Sequence, residues 1–223
     1  MLEPREALIL QILGALPKGV VLVGGYAVNA YVPPRFSIDC DIVVFNEVEE
    51  IKKLLIGNGF EETARGDIPY GEYIRFMRKT EKVSFDLLLN SVLDRDTGVV
   101  FEAELFKKYS RERIIVGKAD PTRIIMRVAD AELLFAMKLV SARRQDIRDI
   151  FMLSGTELNW SIINEIIKTK CSEKLVKERI KLIKAKVESR NYRDSLHGAF
   201  GKIPDKMFER CRLNIVKFLD GLA

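Results

Sequence analysis

Apolar residues along this chain recur with alternating or clustered spacing in the first half and with helical spacing in the second. Leu8, Ile9, Ile12, Leu13 and Leu16 form one stripe, which predicts a helix over Pro4–Leu16 with Pro4 in its first turn. Val20–Val23 is an apolar run of strand length, ended by Gly24 and Gly25. Tyr26–Val32 reads as a short helix stopped by Pro33 and Pro34, and Ile42–Phe45 as a second buried strand entered through Asp39 and Asp41. Val48, Ile51, Leu54 and Leu55 predict a helix over Glu47–Asn58, with Gly59 as its C-terminal stop. Phe60–Thr63 opens another strand, and Arg65–Gly71 reads as a loop. Tyr73–Met77 and Val83–Leu89 predict a hairpin. A short helix over Phe101–Lys108 and a strand over Ile114–Val116 complete this half.

The segment Gly117–Pro121 is the predicted boundary, dividing the chain into domains 1–117 and 118–223. Beyond it the pattern reads as almost entirely helical. Asp130 is placed to cap a helix over Ala131–Arg143, followed by helices over Gln145–Leu153, Asn159–Lys168, Ser172–Glu188 and Asp205–Leu222. Trp160 is expected to pack inside this bundle. The fold class is therefore α+β, a small mixed sheet flanked by helices and followed by a C-terminal helical bundle.

Composition narrows the reading. The 223 residues suffice for one large or two small domains with a real core, and 48% hydrophobic with 31% charged residues is ordinary for a soluble globular protein. Cys40, Cys171 and Cys211 are far apart and lack C-x-x-C spacing, which argues for a reducing compartment and against structural zinc. His197, the single histidine, is expected at the surface or at a helix end and not in catalysis. No signal peptide and no uncharged apolar stretch of about 18 residues is legible, so the expected location is the cytoplasm, with no membrane partner. The net charge of +5 is uneven: 168–223 carry 15 Lys and Arg against 7 Asp and Glu, and the residues before them carry 22 against 25. That basic half suits either a nucleic acid or a set of solvated helix faces.

The candidate chemistry lies between Val20 and Val44. Residues i and i+2 of a strand share a face, so Asp39 and Asp41 stand side by side, about 7 Å apart at Cα, with Cys40 turned away. Two carboxylates that close repel each other unless a cation intervenes, and magnesium favours carboxylate, water and phosphate oxygens. Gly24 and Gly25 lack a Cβ and allow the backbone to approach a phosphate closely. Asp86 lies in the apolar run Lys82–Leu89. It faces the same cation if its strand pairs with that of Asp39 and Asp41, or it pairs with an Arg on an open face.

The Gly-Gly pair, the D-x-D on the next strand and a later strand Asp together resemble the DNA polymerase β-type nucleotidyltransferase superfamily over Val20–Leu89. The resemblance implies a nucleotidyltransferase-like fold in which Gly24 and Gly25 cradle the triphosphate of an NTP. It implies that Asp39, Asp41 and Asp86 are catalytic and bind two Mg2+ ions, with Mn2+ as an alternative, and that Asp86 helps deprotonate the attacking hydroxyl. The chain has Gly25-Tyr26 where many members have Gly-Ser, which removes one hydroxyl from the phosphate site. R-F-S-I-D-C-D and M-K-L-V-S-A-R-R-Q-D-I-R-D-I resemble motifs of the AbiEii-type toxins, the branch linked to type IV toxin–antitoxin pairs. This likeness implies that Arg35 and Ser37 contact the triphosphate, that Lys138 holds phosphate and that Asp146 faces the active cleft. Asp149 also fits the motif. On the residues alone, Lys138 reads equally as a snorkelling surface lysine. The implied partners are an NTP, a hydroxyl acceptor such as a tRNA end, a protein side chain or a small alcohol, and an antitoxin. The competing readings are a nucleotide-binding module of the same fold without turnover and a basic RNA-binding protein.

Overall fold

The computed structural model describes residues 3–68 and 71–222. In chain order the elements of the first part are α1 (Glu3–Ala15), β1 (Val21–Val23), α2 (Gly24–Val28), β2 (Asp39–Val44), α3 (Val48–Gly57), β3 (Glu61–Ile68), β4 (Gly71–Arg78), β5 (Val83–Leu89), β6 (Ser91–Leu93), β7 (Val100–Glu102), α4 (Ala103–Lys108), β8 (Ser110–Val116) and β9 (Arg123–Ala129). The helices α5 (Ala131–Ser141), α6 (Arg144–Leu153), α7 (Trp160–Lys170), α8 (Glu173–Val187), α9 (Tyr192–Phe200) and α10 (Asp205–Leu222) follow. The fold is mixed α+β, and the chain forms two compact units. One takes in the chain up to Leu93 together with Val100–Asp130, and the other takes in Asp94–Val99 and everything from Ala131 onward.

The first unit is built on a seven-stranded mixed sheet of order β3-β4-β5-β2-β1-β9-β8, with β6 and β7 paired separately. β1 sits near the middle, antiparallel to β2 and parallel to β9. A strand with neighbours on both sides and both faces covered has no polar positions to offer, and Val21, Leu22 and Val23 are all buried. β2 runs parallel to β5, and β5 antiparallel to β4. Cys40, Ile42 and Val44 of β2 point to one face with Phe85 and Leu87 of β5, all of them buried. Phe60 meets Phe85 edge to face at 5.5 Å between ring centroids, a favourable aromatic geometry. α1 packs against β9, and α2 against β1 and β2.

The second unit has its own core. Phe135 of α5, Trp160 of α7 and Phe218 of α10 form a mutual cluster with centroids 5.4, 5.5 and 4.6 Å apart, so Trp160 packs in the bundle as the sequence predicts. Phe151 of α6 meets Tyr192 edge to face and Phe208 at a tilt, both at 5.2 Å between ring centroids. Asn159 caps α7, accepting the amides of Ser161 and Ile162, and Ser172 caps α8, accepting that of Leu175.

Several elements differ from expectation. Arg123–Ala129 is a strand and not part of a helical region, so the sheet runs twelve residues past the predicted 117/118 boundary and the units divide at Asp130. Its side chains alternate, Met126 and Val128 buried and Arg123 and Ile125 exposed, but two adjacent isoleucines obscure the period. Asp130 is engaged by Arg111, whose Nε and Nη2 donate to its two oxygens at 2.6 and 2.7 Å. The short helix before Pro33 starts at Gly24 and ends at Val28, with turn hydrogen bonds continuing to Val32. Of the expected loop over Arg65–Gly71, Arg65 to Ile68 belong to β3 and Gly71 begins β4; Pro69 and Tyr70 lie outside the described residues. The helix α9 and the pair β6–β7 have no counterpart in the sequence reading.

Candidate functional site

The register of β1, β2 and β5 builds the site. Val23, the last residue of β1, pairs with Asp41, so Gly24 emerges beside the Asp41 side chain. Gly24 has φ +66°, a left-handed conformation that favours glycine, and a Cβ there would overlap Oδ2 of Asp41. Both its conformation and its contact therefore require glycine. A Cβ on Gly25 would lie 2.7 Å from Ser37 Oγ and 3.0 Å from Arg35 Nη2, so the two polar side chains close over a second bare stretch of backbone.

The loop carrying Arg35 and Ser37 is pinned from α2 and the turn that follows it. The Asn29 side chain accepts the Arg35 amide at 3.0 Å and donates to the Arg35 carbonyl at 2.9 Å, satisfying both backbone groups at once. The Tyr26 hydroxyl donates to the Ser37 carbonyl at 3.1 Å. Burial, more than the nearby Cys40 and Glu6, pushes the Tyr26 hydroxyl well above its ordinary pKa, so it stays a proton donor. Arg35 is buried and its Nη1 donates to the Phe36 carbonyl at 3.3 Å.

Asp39 and Asp41 share one face of β2, and the parallel pairing places Ser84 beside Asp39 and Asp86 beside Asp41. All four therefore point to the same side of the sheet, opposite Cys40. Asp39 is exposed, Asp41 half-buried and Asp86 8% exposed. Ser84 Oγ donates to Asp39 Oδ1 at 2.5 Å. Arg75, the β4 partner of Asp86 in register, grips it with a two-point fork, Nε to Oδ1 at 2.7 Å and Nη2 to Oδ2 at 2.6 Å. That hydrogen-bonded carboxylate holds the Arg75 guanidinium above its already high ordinary pKa, against the opposing effect of burial. Behind the strand, burial and then Asp41, Asp86 and Asp39 push the Cys40 thiol well above its usual value.

The donors that fit a divalent ion are Asp39 and Asp41, hard oxygen ligands on one face with Asp39 open to solvent. Asp86 stands beside them with both oxygens bonded to Arg75. Among the described residues no three His, Cys, Asp or Glu side chains converge closely enough to hold a metal ion.

Lys138 and Asp146 belong to the second unit. Lys138 is 7% exposed, so it does not snorkel at the surface; its Nζ lies 3.0 Å from Asp146 Oδ1 and 2.7 Å from Asp149 Oδ2. Arg143 adds a 3.3 Å contact to Asp146 and a 3.6 Å contact to the buried Asp94, whose Oδ1 also accepts the amide and hydroxyl of Thr97. The sequence motif thus forms a closed network of charges between the facing ends of α5 and α6.

Arg75, Ser84, Asn29 and Tyr26 were absent from the predicted site residues. Arg75 was within reach of sequence reasoning: counting back across the hairpin from Arg78 opposite Val83 brings Arg75 opposite Asp86. The amide clamp of Asn29 leaves no pattern in sequence.

No family model matches the chain, and no curated protein matches it. Among solved structures, the crystal structure of JHP933 from Helicobacter pylori is similar at 19% identity and a TM-score of 0.41, over 98% of this chain and 90% of that one.

Proposed function

We propose that the chain is a metal-dependent nucleotidyltransferase that moves a nucleoside monophosphate from an NTP to a hydroxyl acceptor, releasing pyrophosphate. The observation that supports this reading is the register that sets Asp41 beside Asp86, two residues after Asp39 and hard against Gly24. Asp39 and Asp41 would hold a divalent ion, Mg2+ or Mn2+, which when bound stabilises charge on phosphoryl oxygens and lowers the pKa of a coordinated hydroxyl. Ser84 orients Asp39 for this task. Gly24 and Gly25 let the phosphates approach the backbone, and Arg35 and Ser37, fixed by Asn29 and Tyr26, supply a cation and a hydroxyl beside them. The phosphate role of Lys138 and Asp146, the toxin-like role and the antitoxin partner rest on the resemblance alone, as does the choice of tRNA or protein as acceptor.

The test is transfer of label from NTPs into total RNA and lysate protein. Asp39→Asn with Asp41→Asn is expected to lower transfer roughly a thousandfold or more, the several kcal/mol of transition-state stabilisation that a metal site supplies. Circular dichroism and the thermal midpoint should stay close to wild type. Full transfer by a well-folded double variant would sink the reading. The Arg75 fork on Asp86 favours a second reading, a nucleotide-binding module without turnover. Calorimetry run beside the assay separates the two, since the module binds NTP and releases no pyrophosphate.

A further inference from the structure

We propose that the chain self-associates through the outer edge of β8, which pairs antiparallel with β8 of a second copy and joins the two main sheets into one. The inference is independent of the nucleotidyltransferase reading. β3 and β8 are the end strands of the main sheet. An end strand offers N–H and C=O groups to any further strand, and proteins blunt such edges with charge, proline or bulges. β3 is blunted along its length: its pairing with β4 shifts register between Glu62 and Ala64, and Glu61, Glu62 and Arg65 are exposed. β8 pairs with β9 in continuous register over seven residues and contains no proline. Two of its charges are engaged within the chain, Arg111 by Asp130 and Arg113 over the Tyr31 ring at 5.6 Å. Ile114, Ile115 and Val116 follow, and Ile114 is 51% exposed.

The register between β8 and β9 shows what this edge accepts. Ile114 stands opposite Ile125, which is 69% exposed, with Glu112 opposite Arg127 and Val116 opposite Arg123. α1 lies on the other face, where its Gly14 approaches Ile124. The Asp130 amide bonds to the Tyr109 carbonyl. Backbone groups of an antiparallel strand alternate in direction, so Glu112, Ile114 and Val116 aim theirs at the open edge. A two-fold contact uses the same patch on both copies, and each possible register puts one residue against itself. With Glu112 on the axis two carboxylates meet, and with Arg113 there two guanidiniums meet, both unfavourable. With Ile114 on the axis, Ile114 and Ile125 of both copies form one row of four isoleucines. In the flanking rows Glu112 faces Val116 of the second copy with that copy's Arg123 just beyond, so the carboxylate lies between Arg127 on one side and Arg123 on the other. This register alone of the three joins like to like at the apolar position and opposite charges beside it.

Sedimentation equilibrium of the full chain tests this. A contact made by one strand edge is at the small end of specific interfaces, so loading from about 1 µM to about 500 µM spans the expected transition. The wild-type mass is expected to rise over that range from 25.5 kDa towards twice that value. Ile114→Lys sets two like charges on the axis and removes the apolar row, and should raise the dissociation constant about a hundredfold or more. Circular dichroism checks its fold; if it fails to fold, Ile114→Thr keeps a β-branched side chain and should raise the constant about tenfold. The register is read from Ile114→Cys in a Cys171→Ser background. Residues that exchange hydrogen bonds across an antiparallel pair lie about 5.5 Å apart at Cα, within reach of a disulfide, so mild oxidation is expected to cross-link two copies. A mass of one chain at every loading overturns the proposal and leaves this edge to a partner of another kind. A dimer indifferent to both Ile114→Lys and Ile114→Thr overturns it too, and a dimer weakened by them without cross-linking at Ile114→Cys overturns the register.

Discussion

At Cys40 the two faces of β2 meet opposite environments, and the consequence is measurable. The thiol is fully buried on the apolar face, while its neighbours in sequence carry carboxylates on the other. Burial, then Asp41, Asp86 and Asp39, disfavour the thiolate, and burial likewise raises the Tyr26 hydroxyl. Cys211 is pushed up to about 11, chiefly by burial. Each group binds its proton more tightly in the folded chain than in the unfolded one. Their contribution to stability is therefore complete below the unfolded thiol value, about 8.5, and is lost as pH climbs through and beyond it. The thermal midpoint is expected to be flat from about pH 7 to 8.5 and to fall steadily above about pH 9. Burial raises the Cys171 thiol too, but Cys171 is only half-buried and open to reagent, so iodoacetamide at pH 8 should modify it and spare the buried Cys40 and Cys211, giving a single adduct by intact mass. Rapid labelling of Cys40 in the folded protein would contradict the burial of β2.

At the scale of elements, α5 and α6 are tied by a network that costs stability when broken on one side. Asp149 has no exposed surface, and Lys138 lies 2.7 Å from it. Lys138→Met leaves that carboxylate without this cation and is expected to destabilise the protein by about 3–5 kcal/mol, read from urea melts. Lys138→Met with Asp149→Leu removes both charges and should recover most of the loss, since a buried pair replaced by apolar groups is often neutral. A loss below about 1 kcal/mol in the single variant would mean that the carboxylate finds compensation elsewhere. The same helices show what the sequence made legible. Long amphipathic stripes such as Ile180, Ile183 and Val187 in α8, and short apolar runs such as Val21–Val23, announce themselves because one face or both are buried. The shared face of Asp39 and Asp41 was legible for the same reason, since strand periodicity decides which side chains of one strand lie together, whereas the place of Asp86 beside Asp41 needed the pairing of β2 with β5. β9 was not legible, because Ile124 and Ile125 stand together in a strand one of whose faces is exposed. The clamp of Asn29 on Arg35 depends on loop closure, which hydrophobic spacing does not encode.

For the whole molecule, the apparent linker Gly117–Pro121 is a structural part of the first unit. The buried Glu6 carboxylate of α1 accepts the amides of Ala119 and Asp120, at 2.5 and 2.9 Å for its Oε2, and a Cβ on Gly117 would press within 2.7 Å of it. The chain is thereby held while it turns from β8 into β9, and β9 then inserts between β8 and β1. A fragment ending at 117 loses β9, which leaves β8 with no neighbour in the sheet and one side of β1 without its ladder. It also loses Asp130, whose amide bonds to the Tyr109 carbonyl and whose carboxylate holds Arg111. Exposed strand edges and an uncovered apolar run promote aggregation, so fragment 1–117 is expected to be insoluble or to melt without cooperativity. Fragment 1–130 keeps all seven strands of the main sheet and should show a cooperative thermal transition by circular dichroism. A cooperative melt for 1–117 would mean that the first five strands in sheet order, β3 to β1, carry a core of their own, and that the boundary suggested by Gly117 and Pro121 is the one the folding chain uses.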